Sequence, residues 1–186
     1  MIKGIECPYI ISKLSEHDLI KEDVLDLIND AEATRYSYPK DYTDITRTDW
    51  DVNRDVERHY LKIAMPPIVE LMEKRFLEMG YNEITIRNIW FQQYRKGSEH
   101  GWHVHLGCQF TNVYYVDLPE GAPKTQLLNP MNQKEIIELD VKEGDVLTFP
   151  SFILHRAPNV ESNIVKTIIS FNSDCNIKSV AGLYDF

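Results

Sequence analysis

The chain has 186 residues, a formal net charge of −9 with its histidines neutral, and 43% hydrophobic residues. That length suits one ordinary domain with a sizeable core, or a domain plus a helical extension, and the acidic balance argues against a broad nucleic-acid surface, which needs a basic face. No apolar run is long enough to span a bilayer, and Met1-Ile2-Lys3-Gly4-Ile5-Glu6 lacks the charged, apolar and small-residue succession of a signal peptide, so a soluble cytoplasmic protein is expected.

Taken in chain order, Val24, Leu25, Leu27 and Ile28 are spaced for an amphipathic helix over 22–31, with Ser15 or a nearby acidic residue as a candidate cap for an earlier turn. The polar, tyrosine-rich stretch 34–48 reads as a long surface loop of the kind that serves as a lid. A helix over 55–64 is expected to break at Pro66-Pro67 and restart, since proline is tolerated in a first turn. Ile68, Leu71, Met72 and Phe76 then repeat at helical spacing, a stripe read as core packing, with Gly80 as the C-terminal cap.

After Gly80 the pattern changes to short β-rich runs at 83–94, 102–106, 112–118, 125–128, 135–139, 145–149 and 165–172, separated by turn signals such as Arg95-Lys96-Gly97-Ser98, Pro119-Glu120-Gly121 and Glu143-Gly144-Asp145. Many short strands at this spacing predict a mainly β fold with some α: a double-stranded β-helix, or jelly-roll, barrel. Residues 1–80 form the helical support and 81–186 the barrel core, together one domain.

The chemistry-bearing residues fall in the last third. His103 and His105 are two residues apart, which puts both imidazoles on one face if the backbone is extended. His155 follows the strand 145–149 in the connection beyond it, and neutral imidazole is the commonest protein ligand for iron, zinc, copper and nickel. His100, at an odd offset from His103, is expected on the opposite face of a regular strand, and His17 and His59 read as ordinary core or surface residues. On the last strand Lys166, Ile168, Ser170 and Asn172 share one side. An inward ammonium needs a counter-ion, which a substrate carboxylate supplies. Cys7, Cys108 and Cys175 are odd in number and widely spaced with no Cys-x-x-Cys pair, which fits a reducing compartment rather than a disulfide framework. Cys108 reads as a small buried thiol.

Several ordered pieces then stand out: Trp90-Phe91-Gln92-Gln93-Tyr94-Arg95-Lys96-Gly97, Trp102-His103-Val104-His105, Val113-Tyr114-Tyr115-Val116, Gly144-Asp145-Val146-Leu147-Thr148-Phe149-Pro150-Ser151, His155, and the run from Lys166 to Asn172. In order and spacing they resemble the iron(II)- and 2-oxoglutarate-dependent dioxygenases, in the prolyl-hydroxylase-like branch with its small, often phage-encoded relatives. Arg47-Thr48-Asp49-Trp50 resembles a segment that precedes the barrel in the latter. The resemblance implies iron(II), 2-oxoglutarate and dioxygen as cofactor and co-substrates, with His103, His105 and His155 as the metal ligands. It departs from the family pattern in two places: His105 stands where a carboxylate is usual, and Lys166 where an arginine is usual. Ser170, Tyr94 and Tyr115 match positions whose hydroxyls accompany that cation on the far carboxylate of 2-oxoglutarate.

The implied activity is oxidative decarboxylation of 2-oxoglutarate coupled to hydroxylation of a primary substrate, with a prolyl or other peptide side chain the class the branch favours. Arg156, Asn159 and the stretches 34–50 and 119–124 are candidates for contact with it. Three histidines on a jelly roll equally suit a cupin-like metal module without 2-oxoglutarate chemistry, or a barrel without activity. A nucleic-acid demethylase fits less well, because no second arginine follows Arg156. Oligomeric state is left open.

Overall fold

The computed structural model describes residues 8–176, and Cys7 lies outside them. Eleven strands and two helices follow one another as β1 (Ile10–Lys13), α1 (His17–Asp30), β2 (Thr34–Tyr38), β3 (Thr43–Thr48), α2 (His59–Glu78), β4 (Glu83–Tyr94), β5 (His100–His103), β6 (Phe110–Asp117), β7 (Gln126–Leu128), β8 (Ile136–Glu138), β9 (Asp145–Pro150), β10 (His155–Ala157) and β11 (Lys166–Asn176). A single 3₁₀ turn, Pro39–Asp41, joins β2 to β3. A seven-stranded sheet in the order β1-β9-β6-β11-β4-β3-β2 faces a four-stranded sheet in the order β5-β10-β7-β8, and every pairing is antiparallel. This is the expected double-stranded β-helix with helical support.

Both faces of the large sheet are covered, and side-chain alternation sorts its residues between them. Phe91, Tyr114, Val116, Ile169 and Phe171 face the helices and pack with Val24, Ile28, Tyr60, Ile68 and Phe76. Tyr94, Val113, Tyr115, Leu147, Phe149 and Ile168 face the small sheet and pack with Leu127, Leu139, Ile153 and Val160. The site lies in this second layer.

Four local expectations are corrected. The stretch 34–48 is the β2–β3 hairpin, which extends the large sheet through β3–β4 pairing at Arg47 and Thr48. An unforeseen strand, β1, closes the other edge of that sheet against β9. Helix α1 begins at His17, five residues before the expected start, and Ser15 hydrogen-bonds Glu16 instead of capping it. Pro66 and Pro67 do not break α2, which runs through them. Each proline there costs about 3 kcal/mol, but Tyr60, Ala64, Ile68, Met72 and Phe76 form an unbroken i+4 stripe in the core, and each large apolar member stabilises by about 1.5–3 kcal/mol. Pro66 itself faces solvent, which can hydrate a carbonyl left without its amide partner.

At its C-terminus α2 ends as expected around Gly80, whose φ is 90°. Gly80 N–H bonds the Leu77 carbonyl, Tyr81 N–H bonds the Phe76 carbonyl, and the Phe76 and Tyr81 rings pack 5.7 Å apart. This is a Schellman cap with its apolar contact.

Candidate metal centre

His103 ends β5 and His155 opens β10, and the two are direct cross-strand partners. His155 therefore sits on a paired strand rather than in a loop. β5 stops at His103, so His105 does not reach its neighbour's side by strand alternation as expected. The chain turns out of the strand, and the His105 N–H is held by the Ser151 carbonyl at 3.1 Å in the turn after β9. The outcome is the expected one by another route: donor atoms of His103, His105 and His155 all lie within 4.8 Å of one another.

Each imidazole is oriented through Nδ1. That atom lies 2.7 Å from the Gly101 carbonyl in His103, 2.6 Å from Asn172 Oδ1 in His105, and 3.0 Å from the Ile153 carbonyl in His155. All three partners are oxygen acceptors, so each Nδ1 carries the proton and each Nε2 keeps a free lone pair. Burial is the first cause that pushes these histidines down, His103 to about 4 and His155 well below its ordinary value, and His105 is lowered in the same way against its bond to Asn172. Three neutral imidazoles with free lone pairs are a donor set that suits iron, zinc, copper or nickel.

His100 overturns the expectation of a regular strand. Two steps along β10, from His155 to Ala157, oppose three along β5, from His103 to His100, so β5 carries a bulge. The extra residue resets the side-chain parity, and the His100 ring stacks on His103 at 3.7 Å with the planes 15° apart. Gly101 lies within this bulge because a Cβ there would run into the Asp41 carbonyl oxygen of the 3₁₀ turn. Asp41 brings a carboxylate whose charge acts on His103, and its Oδ1 is buried without a hydrogen-bond partner among the described residues.

Behind the histidines, the inward faces of β4, β6 and β11 carry the other predicted residues. Lys166 is 1% exposed, and its Nζ donates to the Pro123 carbonyl at 2.7 Å and lies 5.4 Å from the Tyr94 ring centre and 5.9 Å from that of Tyr115. Among the described residues its ammonium has no carboxylate partner, and burial alone lowers it to about 7. Ser170 Oγ and Tyr94 OH both reach Gln92 Oε1, at 3.4 and 3.0 Å, while Tyr115 OH bonds Thr125 Oγ1 at 2.7 Å. Burial raises both tyrosines beyond their ordinary range, so they stay neutral donors. Sequence reasoning had no reason to single out Gln92, Thr111 or the support role of Asn172. Their only signal was inward parity on β4, β6 and β11.

An open pocket of about 380 Å³ lies over the histidines, lined by Tyr36, Trp50, Asn88, Trp90, Gln92 and Leu106 among others. The hairpin expected as a lid thus supplies one wall. Asn88 is the extra residue of a second bulge, where β4 steps from Ile89 to Arg87 against Phe171 and Asn172, so its amide is turned out of the ladder. Arg156 lies over Trp102 at 4.7 Å and donates to Gln126 Oε1 at 2.8 Å, and Asn159 bonds the Gly97 carbonyl at 3.2 Å. Both of these candidates spend their polar groups on the protein. Of the two stretches expected to contact substrate, 119–124 meets Lys166 instead, through Pro123.

No protein-family model and no curated protein matches the sequence. Solved structures do. A 2OG-Fe(II) oxygenase family oxidoreductase from Burkholderia pseudomallei superposes with a TM-score of 0.69 over 89% of this chain and 85% of its own, at 14% identity. A non-heme alpha-ketoglutarate-dependent epimerase from nogalamycin biosynthesis gives 0.68 over 90% and 76%, at 11% identity. A prolyl hydroxylase from Trichoplax adhaerens, in complex with a hypoxia-inducible-factor peptide fragment, gives 0.65 over 96% and 87%, at 15% identity. The chain has the fold these oxygenases share.

Proposed function

We propose that this protein is a non-haem iron(II) oxygenase that couples oxidative decarboxylation of 2-oxoglutarate to hydroxylation of a second substrate. The observation that carries the reading is the pairing of three Nε2 lone pairs, each fixed by an Nδ1 bond, with a buried ammonium that has no anionic partner among the described residues. The fold shared with 2-oxoglutarate-dependent enzymes supports it.

His103, His105 and His155 hold the metal, and their three positions leave room for further ligands at an iron centre. Iron(II), when bound, would supply the centre at which dioxygen is reduced by electrons drawn from 2-oxoglutarate and from a C–H bond of the second substrate, so that one oxygen atom leaves in succinate beside carbon dioxide and the other enters the second substrate. The chain's own residues bind and orient. Lys166, with Ser170, Tyr94 and Tyr115, receives the far carboxylate. Asn172 fixes the His105 ring. Trp50 and Trp90, packed edge to face with ring centres 4.3 Å apart, give the open pocket an aromatic wall against which a ring-bearing substrate packs. A prolyl side chain in a peptide fits that wall, and proteins of this fold include a prolyl hydroxylase in complex with a peptide fragment and an epimerase from nogalamycin biosynthesis. A reducing cytoplasm is the setting we assign, supported by the free thiols of Cys108 and Cys175. No helix among the described residues is long and apolar enough to cross a membrane.

The reading is tested by anaerobic titration of the iron(II)-loaded protein with 2-oxoglutarate, following the metal-to-ligand charge-transfer band in the visible. A band that weakens in Lys166→Ala is expected. Bound iron with no band transfers the assignment to a metal-binding barrel without 2-oxoglutarate chemistry, a reading favoured by one observation: Gln92 already occupies Tyr94 and Ser170.

A further inference from the structure

We propose that Gln92 is a gating residue, whose side chain fills the co-substrate seat in the empty protein and must swing into the open pocket before a five-carbon dicarboxylate can enter. The inference rests on the co-substrate reading above and concerns a residue that reading does not use.

Gln92 points into the barrel from β4 and is 5% exposed. Its Oε1 takes the hydroxyls of Tyr94 and Ser170, two of the four groups assigned to the far carboxylate. The other two are spent as well, Lys166 on the Pro123 carbonyl and Tyr115 on Thr125. All four groups thus have a neutral protein partner, and the amide oxygen stands where a carboxylate oxygen would. The space left is consistent with this. The inner cavity lined by Gln92, Tyr94, Thr111, Thr125, His155 and Ser170, among others, measures about 30 Å³. That holds a water or two, and a five-carbon dicarboxylate needs several times as much.

A route out exists, because Gln92 also lines the pocket of about 380 Å³ above the histidines. It forms part of the partition between the two spaces. Rotation about its side-chain bonds carries the amide from the inner space to the outer one without moving β4, whose ladder to β11 holds the backbone through the Gln92–Ile168 pair. Entry of the dicarboxylate therefore breaks the two bonds at Gln92 Oε1 and replaces a neutral acceptor by a charged one. It also delivers the freed amide to the pocket assigned to the second substrate.

Wild type, Gln92→Ala and Gln92→Asn, each loaded with iron(II) under anaerobic conditions, are titrated with 2-oxoglutarate by calorimetry. Iron(II) affinity, measured first, reports on folding of the centre. Asparagine keeps the amide but is one methylene too short to hold Tyr94 and Ser170, which keeps the test open if alanine at this buried position fails to fold. Both variants are expected to bind 2-oxoglutarate about tenfold tighter than wild type, since binding no longer displaces two hydrogen bonds. Equal or weaker binding by the variants, beside measurable binding by wild type, overturns the gate and leaves the co-substrate reading standing. Binding by none of the three, with iron bound, overturns both.

Discussion

Asn172 Oδ1 lies 2.6 Å from Nδ1 of His105. Asn172 is on β11, two residues beyond Ser170 and six beyond Lys166 on the same inward face, so one strand carries both the proposed anion seat and the support of a proposed metal ligand. His105 needs that support most, being the proposed ligand that lies beyond the end of β5. Asn172→Ala is expected to lower iron(II) affinity about 10–100-fold, and Asn172→Asp, which offers a charged acceptor, to keep or raise it. Metal titration of the two variants decides, and an unchanged alanine variant sinks the support role.

Lys166 gives two pH dependences of opposite sign. Burial lowers its pKa from the ordinary 10.5 to about 7 in the folded protein, with no carboxylate among the described residues to offset it. Between those values the unfolded chain holds a proton that the folded one does not, so the lysine's contribution to stability rises with pH from about 7 and is lost as pH falls through 7. Carboxylate binding requires the ammonium, so 2-oxoglutarate affinity is expected to be flat below about pH 7 and to fall above it. Lys166→Met removes both dependences: urea melts show a metal-free protein more stable at pH 6, and calorimetry shows the carboxylate lost. A wild-type affinity that does not change between about pH 6 and 9 contradicts this account.

How much of this was readable beforehand depended on whether a feature was written in periodicity or in backbone irregularity. The alternation on β11 placed Lys166, Ile168, Ser170 and Asn172 on one face, residue type and spacing brought out the three histidines that the structure gathers, and Tyr94 and Tyr115 came from the family resemblance. Pro66-Pro67 misled because a local rule was weighed without the buried stripe that overrides it. The hairpin at 34–48 was hidden because its outer strand, β2, is largely exposed and shows no apolar alternation. His100 was misplaced because one bulge residue reverses the parity on which its reading rested, and a bulge leaves no mark in composition. The Ser170–Gln92 and His105–Asn172 bonds join positions 78 and 67 residues apart in sequence, so they exist only once the sheet is registered.

Asp49, in the segment that the family resemblance singled out, ties three elements together. Its Oδ2 accepts from Arg58 Nε and Tyr60 OH, both at 2.7 Å, and its Oδ1 accepts from the Phe91 N–H at 2.8 Å. It is buried, so removing it strands a largely buried guanidinium and a backbone donor. Asp49→Ala is expected to cost about 3–5 kcal/mol, read from urea denaturation, while the folded fraction keeps its iron(II) affinity. A loss under about 1 kcal/mol, the range of an exposed pair, contradicts a structural role.

Thr111 is 1% exposed, and its hydroxyl has no hydrogen-bond partner among the described residues, although the side chain lines the same small cavity as the three histidines. An orphaned buried hydroxyl costs about 1–3 kcal/mol, and valine has nearly the same shape without that cost. In the metal-free protein, Thr111→Val is therefore expected to raise stability by about 1 kcal/mol, seen as a higher urea midpoint at unchanged slope. Loading iron(II) and 2-oxoglutarate brings oxygen atoms into the cavity and gives the hydroxyl something to donate to, so there the order reverses and the valine variant binds 2-oxoglutarate more weakly. Thr111→Ser, which keeps the donor, separates the two effects: it should match wild type in affinity and gain no stability. Equal affinity for all three proteins would assign the hydroxyl to a structural water and remove Thr111 from the site.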